Sequence, residues 1–457
     1  MVSSLKSLLK GLPRFVPALV FAAGLYAQTP PAVPLPTPVP LPTVLPNSER
    51  QIAVTDAIDL ALKQASNFKA AQLNERIARE DIRQARAAFY PKVEVQPNFI
   101  YTSPSFRKTV PREPSFISAD AIAVYQGLIT ASGEIDTSGR LRAALKRSQA
   151  LLEAASAGTE VARRDLIQSV VDAYYNLALA TTQRRGSEIN LAAAQDFENN
   201  TRLNLEAGEV APVDLVRARL QTATRIDELE QARATETVNG ETLDFLIGHT
   251  VTEPVEAVDL LTQMPADNEI ERYSEATIST RPEFAQFEAE RRAAEREAFA
   301  ARAERRPQLT YSVSGGFISD SVLPGPLRDH TGVQANIGVS IPLFNAGASR
   351  SHEAQARLRM QQAENSRALA ERQFVQDFYI ARTQAISARE RIRRIGASIV
   401  DAEQNVSASL ARYRAGEAPI TEVVDAQNQL VTQRQLLYKA IFDYQTAKSH
   451  LLRAAGQ

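Results

Sequence analysis

The 457-residue chain contains no cysteine and no tryptophan, only three methionines and four histidines. A secreted chain of this size needs no disulfide to bury a core. Without a thiol there is also no cysteine for an N-terminal lipid anchor, so any membrane attachment would have to come from the fold itself. An excess of charge is absent too: 52 Lys plus Arg stand against 53 Asp plus Glu. A nucleic-acid binder normally carries a basic excess, so no nucleic-acid partner is expected. No long apolar run follows the first 30 residues, which excludes a later transmembrane helix. His249, His330, His352 and His450 are scattered, and there is no HExxH pair, Cys/His cluster, P-loop or dinucleotide-type glycine pattern. Adjacent carboxylates such as Asp227 and Glu228 lie in charged helical stretches, where they are usually solvated or paired with arginine. Three methionines mark no path for copper or silver. No enzyme, cofactor or metal site is expected.

The N-terminus reads as an address. Lys6, Lys10 and Arg14 precede a short apolar stretch, Phe15 to Tyr26, too short to span a bilayer comfortably. A signal peptide over 1–27 is expected, cleaved after Ala27, although Leu25 stands where a small residue is usual. The next segment, 28–48, holds the tract PPAVPLPTPVPLPTVLP, in which eight of 17 residues are proline. Such a tract is extended rather than helical. It reads as a spacer in preference to a docking ligand.

The remainder is two copies of one plan, 49–267 and 268–457. RQARAAFYPKVEVQP (83–97) matches EAFAARAERRPQLTYSV (297–313), with a helical segment stopping at Pro91 and at Pro307. Phe68 and Phe284 fall at the same offset. Gly139 then matches Gly347, and LNLEAGEVAPVDLVRARLQ (203–221) matches ARYRAGEAPITEVVDAQNQ (411–429). Gly139 to Gly208 spans 69 residues, as does Gly347 to Gly416, and neither interval contains proline. Both are rich in helix formers. Leu166, Ile167, Val170, Val171, Tyr174 and Leu177 recur at helical spacing. A helix of that length runs roughly 100 Å. Each ends at a glycine turn near 208 or 416, and a second helix returns from near Pro212 or Pro419, where proline suits a first turn. Taken alone, these antiparallel hairpins suit a soluble coiled coil.

Four segments alternate with period 2, which marks strands with one apolar face. They lie at about 91–107, 116–131, 307–318 and 331–343. Val93, Val95, Phe99 and Tyr101 oppose Lys92, Glu94, Gln96 and Asn98. In the second segment, Ile122, Val124 and Leu128 read as the apolar set. Leu309, Tyr311, Val313 and Phe317 oppose Thr310, Ser312 and Ser314. Val333, Ala335, Ile337, Val339 and Ile341 oppose Gln334, Asn336 and Ser340. Strands of about ten residues suffice to cross a bilayer in a tilted barrel. Phe89, Tyr90, Phe106, Phe116, Phe317 and Phe344 sit near their ends, as an interfacial girdle or as ordinary packing. Four strands cannot close around a lumen, and an open sheet would leave unpaired edges in lipid. Pooling the strands of three subunits would give twelve and closure.

From about Ser48 onward the chain resembles the TolC family of outer-membrane efflux proteins. The resemblance is carried by the duplication, by RAAFYPKVEVQP, VSIPLFNAG and YRAGEAPITEVVDAQNQL (413–430), and by the two Ala-Gly-Glu turns. It implies a mainly α chain with a β-barrel part: long helical hairpins forming a periplasmic α-barrel, and four transmembrane strands per subunit of a homotrimeric 12-stranded barrel in outer-membrane lipid. It implies a periplasmic adaptor and an inner-membrane pump, of RND or ABC type, as partners. The turns, with Gly208, Glu209, Gly416 and Glu417, would contact the adaptor. Glu422 and Asp425, three apart on one helix face, would line the pore entrance with six carboxylates, favouring cations. Asp214 and Tyr413 would belong to the polar contacts that close it. Ala418 stands near where the family can use an arginine, so Arg412 or Arg414 would take over that part. The same acids also suit the helix dipole, and the glycines suit the turn backbone. The expected function is a passive small-molecule efflux duct. Type I polypeptide secretion is the alternative within the class, and a structural periplasmic coiled coil the alternative outside it.

Overall fold

The computed structural model describes residues 50–102, 123–248, 255–257, 260–262, 264–265 and 269–456. The expected signal peptide and proline-rich linker lie outside these residues. So do 103–122, with Phe106, Phe116 and Ile122, and also His249.

In chain order the elements are β1 (Arg50–Ile52), α1 (Val54–Ala61), α2 (Asn67–Ala87), β2 (Lys92–Tyr101), β3 (Ala123–Ile135), α3 (Arg140–Glu206), α4 (Pro212–Ile247), β4 (Val255–Ala257), α5 (Pro282–Ala303), β5 (Gln308–Ser319), α6 (Pro324–Asp329), β6 (Thr331–Ser340), α7 (Ala348–Arg414) and α8 (Ile420–Ala454). The order α2-β2-β3-α3-α4 recurs as α5-β5-β6-α7-α8, and α6 lies between the strands of the second copy. α3 and α7 have 67 residues each, or roughly 100 Å at 1.5 Å per residue. Each starts after a glycine in the left-handed region, Gly139 (φ 83°) and Gly347 (φ 85°), where a side chain would be strained. α3 packs against α4, and α7 against α8, as hairpins; α2 and α5 lie along α3. β1 and β4 form a small parallel pair.

The core lies along α3, α7 and α8. Val170, Tyr174 and Leu177 of the expected stripe are buried there with Phe378, Ile441, Tyr444 and Leu451. Alanine fills the helix seams: Ala381, Ala385 and Ala388 on α7, Ala440 and Ala447 on α8. Small side chains at i, i+4 and i+7 let long helices approach along their length.

The second sheet has the order β2-β3-β5-β6, antiparallel throughout. Paired residues point to the same side, so the register sorts the faces. One face carries Val93, Val95, Phe99 and Tyr101 of β2, Leu309, Tyr311, Val313 and Phe317 of β5, and Val333, Ala335, Ile337 and Val339 of β6. This agrees with the alternation read for those three strands. β3 differs. Its contribution to that face is Tyr125, Gly127, Ile129 and Ala131, while Val124 and Leu128 pair with Ile100 and Gln96 on the other side. Gly127 and Gly133 are there for their neighbours: a Cβ on them would stand 2.5 Å from the Phe317 ring and 2.6 Å from the Tyr311 hydroxyl. Aromatic rings of β5 thus fill the space that β3 leaves. β3 also runs on to Ile135, beyond the expected end at 131.

The apolar face is bare: Val95 is 69% exposed, Val333 79% and Ile337 76%. Among the described residues β2 pairs only with β3, and β6 only with β5, so each outer edge is open. No helix among the described residues is long and apolar enough to cross a membrane.

Candidate pore entrance at the hairpin turns

Both hairpins turn by the same backbone device. At the end of α3, Gly208 (φ 79°) donates its N–H to Leu205 O at 3.0 Å, and Glu209 N–H reaches Asn204 O at 2.9 Å. At the end of α7, Gly416 (φ 73°) donates to Tyr413 O at 3.0 Å, and Glu417 N–H to Arg412 O at 2.9 Å. This pair of bonds satisfies the last carbonyls of a helix and requires a left-handed residue, hence glycine. Nothing lies within 4 Å of a Cβ built on either glycine, so the constraint is conformational. Gly208, Glu209, Gly416 and Glu417 are all exposed. The return helices start differently: Pro212 opens α4, whereas Pro419 precedes α8 as its cap residue. Asp214 and Glu422 consequently occupy the same third position of their helices, where a carboxylate meets free N–H groups.

The two hairpins meet near their turns through Phe197 of α3, Ala218 of α4, and Ile420 and Val423 of α8, with Leu410, Tyr413 and Val424 packed around them. Tyr413 stands 6.1 Å from the Phe197 ring. Burial pushes its phenol pKa up, the charge of Asp214 adds to that, and the Thr201 hydroxyl acts the other way. Tyr413 and Asp214, from different hairpins, are therefore brought together. Asp214 also lies 3.9 Å from Arg217 on its own helix. Glu422 finds its partner within its own hairpin. Arg412 Nη1 reaches Glu422 Oε1 at 2.6 Å, across the turn of one hairpin. Asp425 is exposed one turn further on. Full burial of Ile420 or Val423 contributes about 1.5–3 kcal/mol each, while an ion pair as exposed as Arg412–Glu422 contributes at most about 1 kcal/mol. Packing, then, holds the turns together, and the ion pair sets charge.

Above the turns a polar layer bridges α4 and α8: Gln221 donates to Gln427 at 2.7 Å, and buried Arg225 reaches Asn428 while pairing with Glu228 at 2.7 Å.

Two further clusters escaped the sequence reading. Arg281 holds Glu283 with two hydrogen bonds, of 3.2 and 2.7 Å, lies 3.9 Å above the Phe374 ring, and is buried beside Arg164. Burial alone would raise the Glu283 carboxyl pKa, but Arg281, the backbone and Arg164 hold it below the usual carboxylate range. Glu269 receives Lys448 and the Tyr444 hydroxyl, the latter at 3.0 Å, tying the segment before α5 to α8. Charged residues on arginine-rich helices look alike in sequence, and only the fold selects those that are buried.

The model of the outer membrane efflux protein family matches residues 57–249 and 274–457, one stretch for each copy of the repeat. The chain belongs to the outer membrane efflux protein family. It is similar to protein CyaE of Bordetella pertussis, 27% identical over 423 residues that cover 89% of this chain and 84% of that one. Its fold is that of the outer membrane protein VceC of Vibrio cholerae (TM-score 0.77, 19% identity, 88% of this chain and 96% of that one). The open-state MtrE channel of Neisseria gonorrhoeae is similar as well (TM-score 0.75, 20% identity, 88% of each). Family membership places the chain in the outer membrane as an efflux channel and not an enzyme. The open sheet accords with that location: its bare apolar face suits lipid, and its polar face suits water.

Proposed function

We propose that the chain is the outer-membrane component of a tripartite export system. It is a passive duct for small molecules, coupled through a periplasmic adaptor to an inner-membrane pump. The observation that carries this reading is the four-stranded sheet with two open edges and an exposed apolar face, joined directly to helices of 67 residues. Open edges in lipid cost several kcal/mol for each unpaired backbone group. Closure by pooling the sheets of three subunits removes that cost. Helices of roughly 100 Å extend the duct far beyond the bilayer. At their far ends, the exposed turn residues Gly208, Glu209, Gly416 and Glu417 meet the adaptor. Asp214, Tyr413, Glu422 and Asp425 border the entrance.

The test is a deletion strain, complemented or not, assayed both for retention of a fluorescent small-molecule efflux substrate and for secreted polypeptides. Retention of the small molecule with secretion unchanged is the expected result. Lost secretion with unchanged retention would move the function to polypeptide export. Neither effect, with the protein present in the outer membrane, would sink the proposal.

A further inference from the structure

We infer that Arg412 sets the ion preference of the entrance by cancelling the charge of Glu422, leaving Asp425 as the acid that acts on passing ions. This rests on the reading of the hairpin turns as the pore entrance.

The internal duplication supplies the argument. Asp214 and Glu422 are equivalent, each the third residue of a return helix. In the first hairpin the residue one turn on is Arg217, which lies 3.9 Å from Asp214 and balances it. In the second hairpin the equivalent residue is Asp425. There the balancing arginine comes from the other side of the turn: Arg412 pairs with Glu422 at 2.6 Å, and Ser409 Oγ stands 3.5 Å from the same carboxylate oxygen. The first hairpin has Asn204 at the position of Arg412. Each copy thus matches its helix-start acid with one arginine, from different positions, and Asp425 is left over.

The pair is well placed. The backbone bond from Glu417 N–H to Arg412 O fixes the end of α7. Burial of Ile420 and Val423 fixes the phase of α8, so Glu422 leans toward α7 while Asp425 is exposed. An ion several ångströms from a close ion pair meets a dipole, whose potential falls off faster than that of a single charge. The second hairpin therefore presents one effective negative charge per subunit instead of two. A trimer has three in place of the six expected from the sequence.

The experiment compares purified trimers in a planar bilayer under a KCl gradient: wild type, Arg412→Gln, Glu422→Gln, the double variant, and Asp425→Asn. Arg412→Gln should raise the K+/Cl− permeability ratio on the order of fivefold, for three uncancelled charges in a water-filled opening. The double variant should match wild type, because it removes a neutral pair. Glu422→Gln and Asp425→Asn should each lower the ratio. An unchanged ratio in Arg412→Gln, with a lowered one in Asp425→Asn, would overturn the inference and leave the entrance where it is. No change in either variant would show that the entrance is elsewhere, and the reading beneath would fall with it. Both members of the pair are partly exposed, so loss of the fold does not confuse the comparison.

Discussion

Gly316→Ala should break the seam between the two copies of the repeat. Gly316 lies on β5 opposite Leu128 of β3, with φ 148°. A Cβ there would stand 1.9 Å from the Gly127 carbonyl oxygen, 3.0 Å from its carbon and 3.1 Å from Leu128 Cα. All three are backbone atoms, so no side chain can swing aside. The backbone region costs a non-glycine residue about 1–3 kcal/mol, and forced overpacking adds about 1–3 kcal/mol. The sum, about 2–6 kcal/mol, is a large part of the 5–15 kcal/mol of a typical folded domain. The control is close by. Gly332 is the next residue in the same row, on β6, and nothing lies within 4 Å of its built Cβ. Gly332→Ala should be nearly silent. The assay is the amount of protein in the outer membrane and the temperature at which the purified oligomer dissociates. Equal abundance and equal heat resistance of the two variants would refute the β3–β5 register.

Four other changes test the helical part. Ile420→Ala should cost about 2–5 kcal/mol, as buried truncations do, and loosen the contact between hairpins, while Arg412→Gln should cost under about 1 kcal/mol; thermal midpoints of the two variants decide whether packing or charge holds the turns. Glu283→Gln should cost about 3–5 kcal/mol, because it leaves Arg281 and Arg164 buried without their anion, and its thermal midpoint should fall accordingly. Burial alone would raise the pKa of Glu269, but Lys448 and the Tyr444 hydroxyl hold it below its ordinary 4.5. Its stabilising effect is therefore complete above that value and lost as pH falls through the lower folded value. Glu269→Gln should destabilise by about 1–2 kcal/mol at neutral pH, with the difference from wild type closing in melts as the pH falls below 4.5.

The duplication was legible because its markers are backbone residues: Gly208 and Gly416 recur where only a left-handed turn will do, and Pro91 and Pro307 where helix gives way to strand. The faces of β2, β5 and β6 were legible because large apolar residues alternate cleanly. β3 was misread for a physical reason. Its positions on that side include Tyr125, Gly127, Ile129, Ala131 and Gly133, and the two glycines are there because Phe317 and Tyr311 of the next strand cover them. Val124 and Leu128, larger in hydropathy, lie on the other side. No single strand carries that information; the pairing does. The sequence offered Arg412 or Arg414 for the closing contacts of Asp214 and Tyr413; in the structure Arg412 instead reaches Glu422, as the winding of α7 into its glycine turn directs it there.

The account depends most on the open sheet being one part of a barrel shared between subunits, and cysteine crosslinking across its two edges tests that directly. The chain has no cysteine of its own, so engineered pairs report without background. Gln96→Cys on β2 would be combined in turn with Gln334→Cys and Asn336→Cys on β6, on the same polar face, and the scan extended along β6. Within one subunit these edges are separated by β3 and β5, three strand spacings or about 14 Å, well beyond the 4.4–6.8 Å between Cα atoms that a disulfide allows. Any bond must therefore join neighbouring subunits. The account predicts that at least one pairing, oxidised in intact outer membranes, gives a ladder that ends at a covalent trimer. A folded, membrane-inserted protein that stays monomeric at every pairing would contradict it.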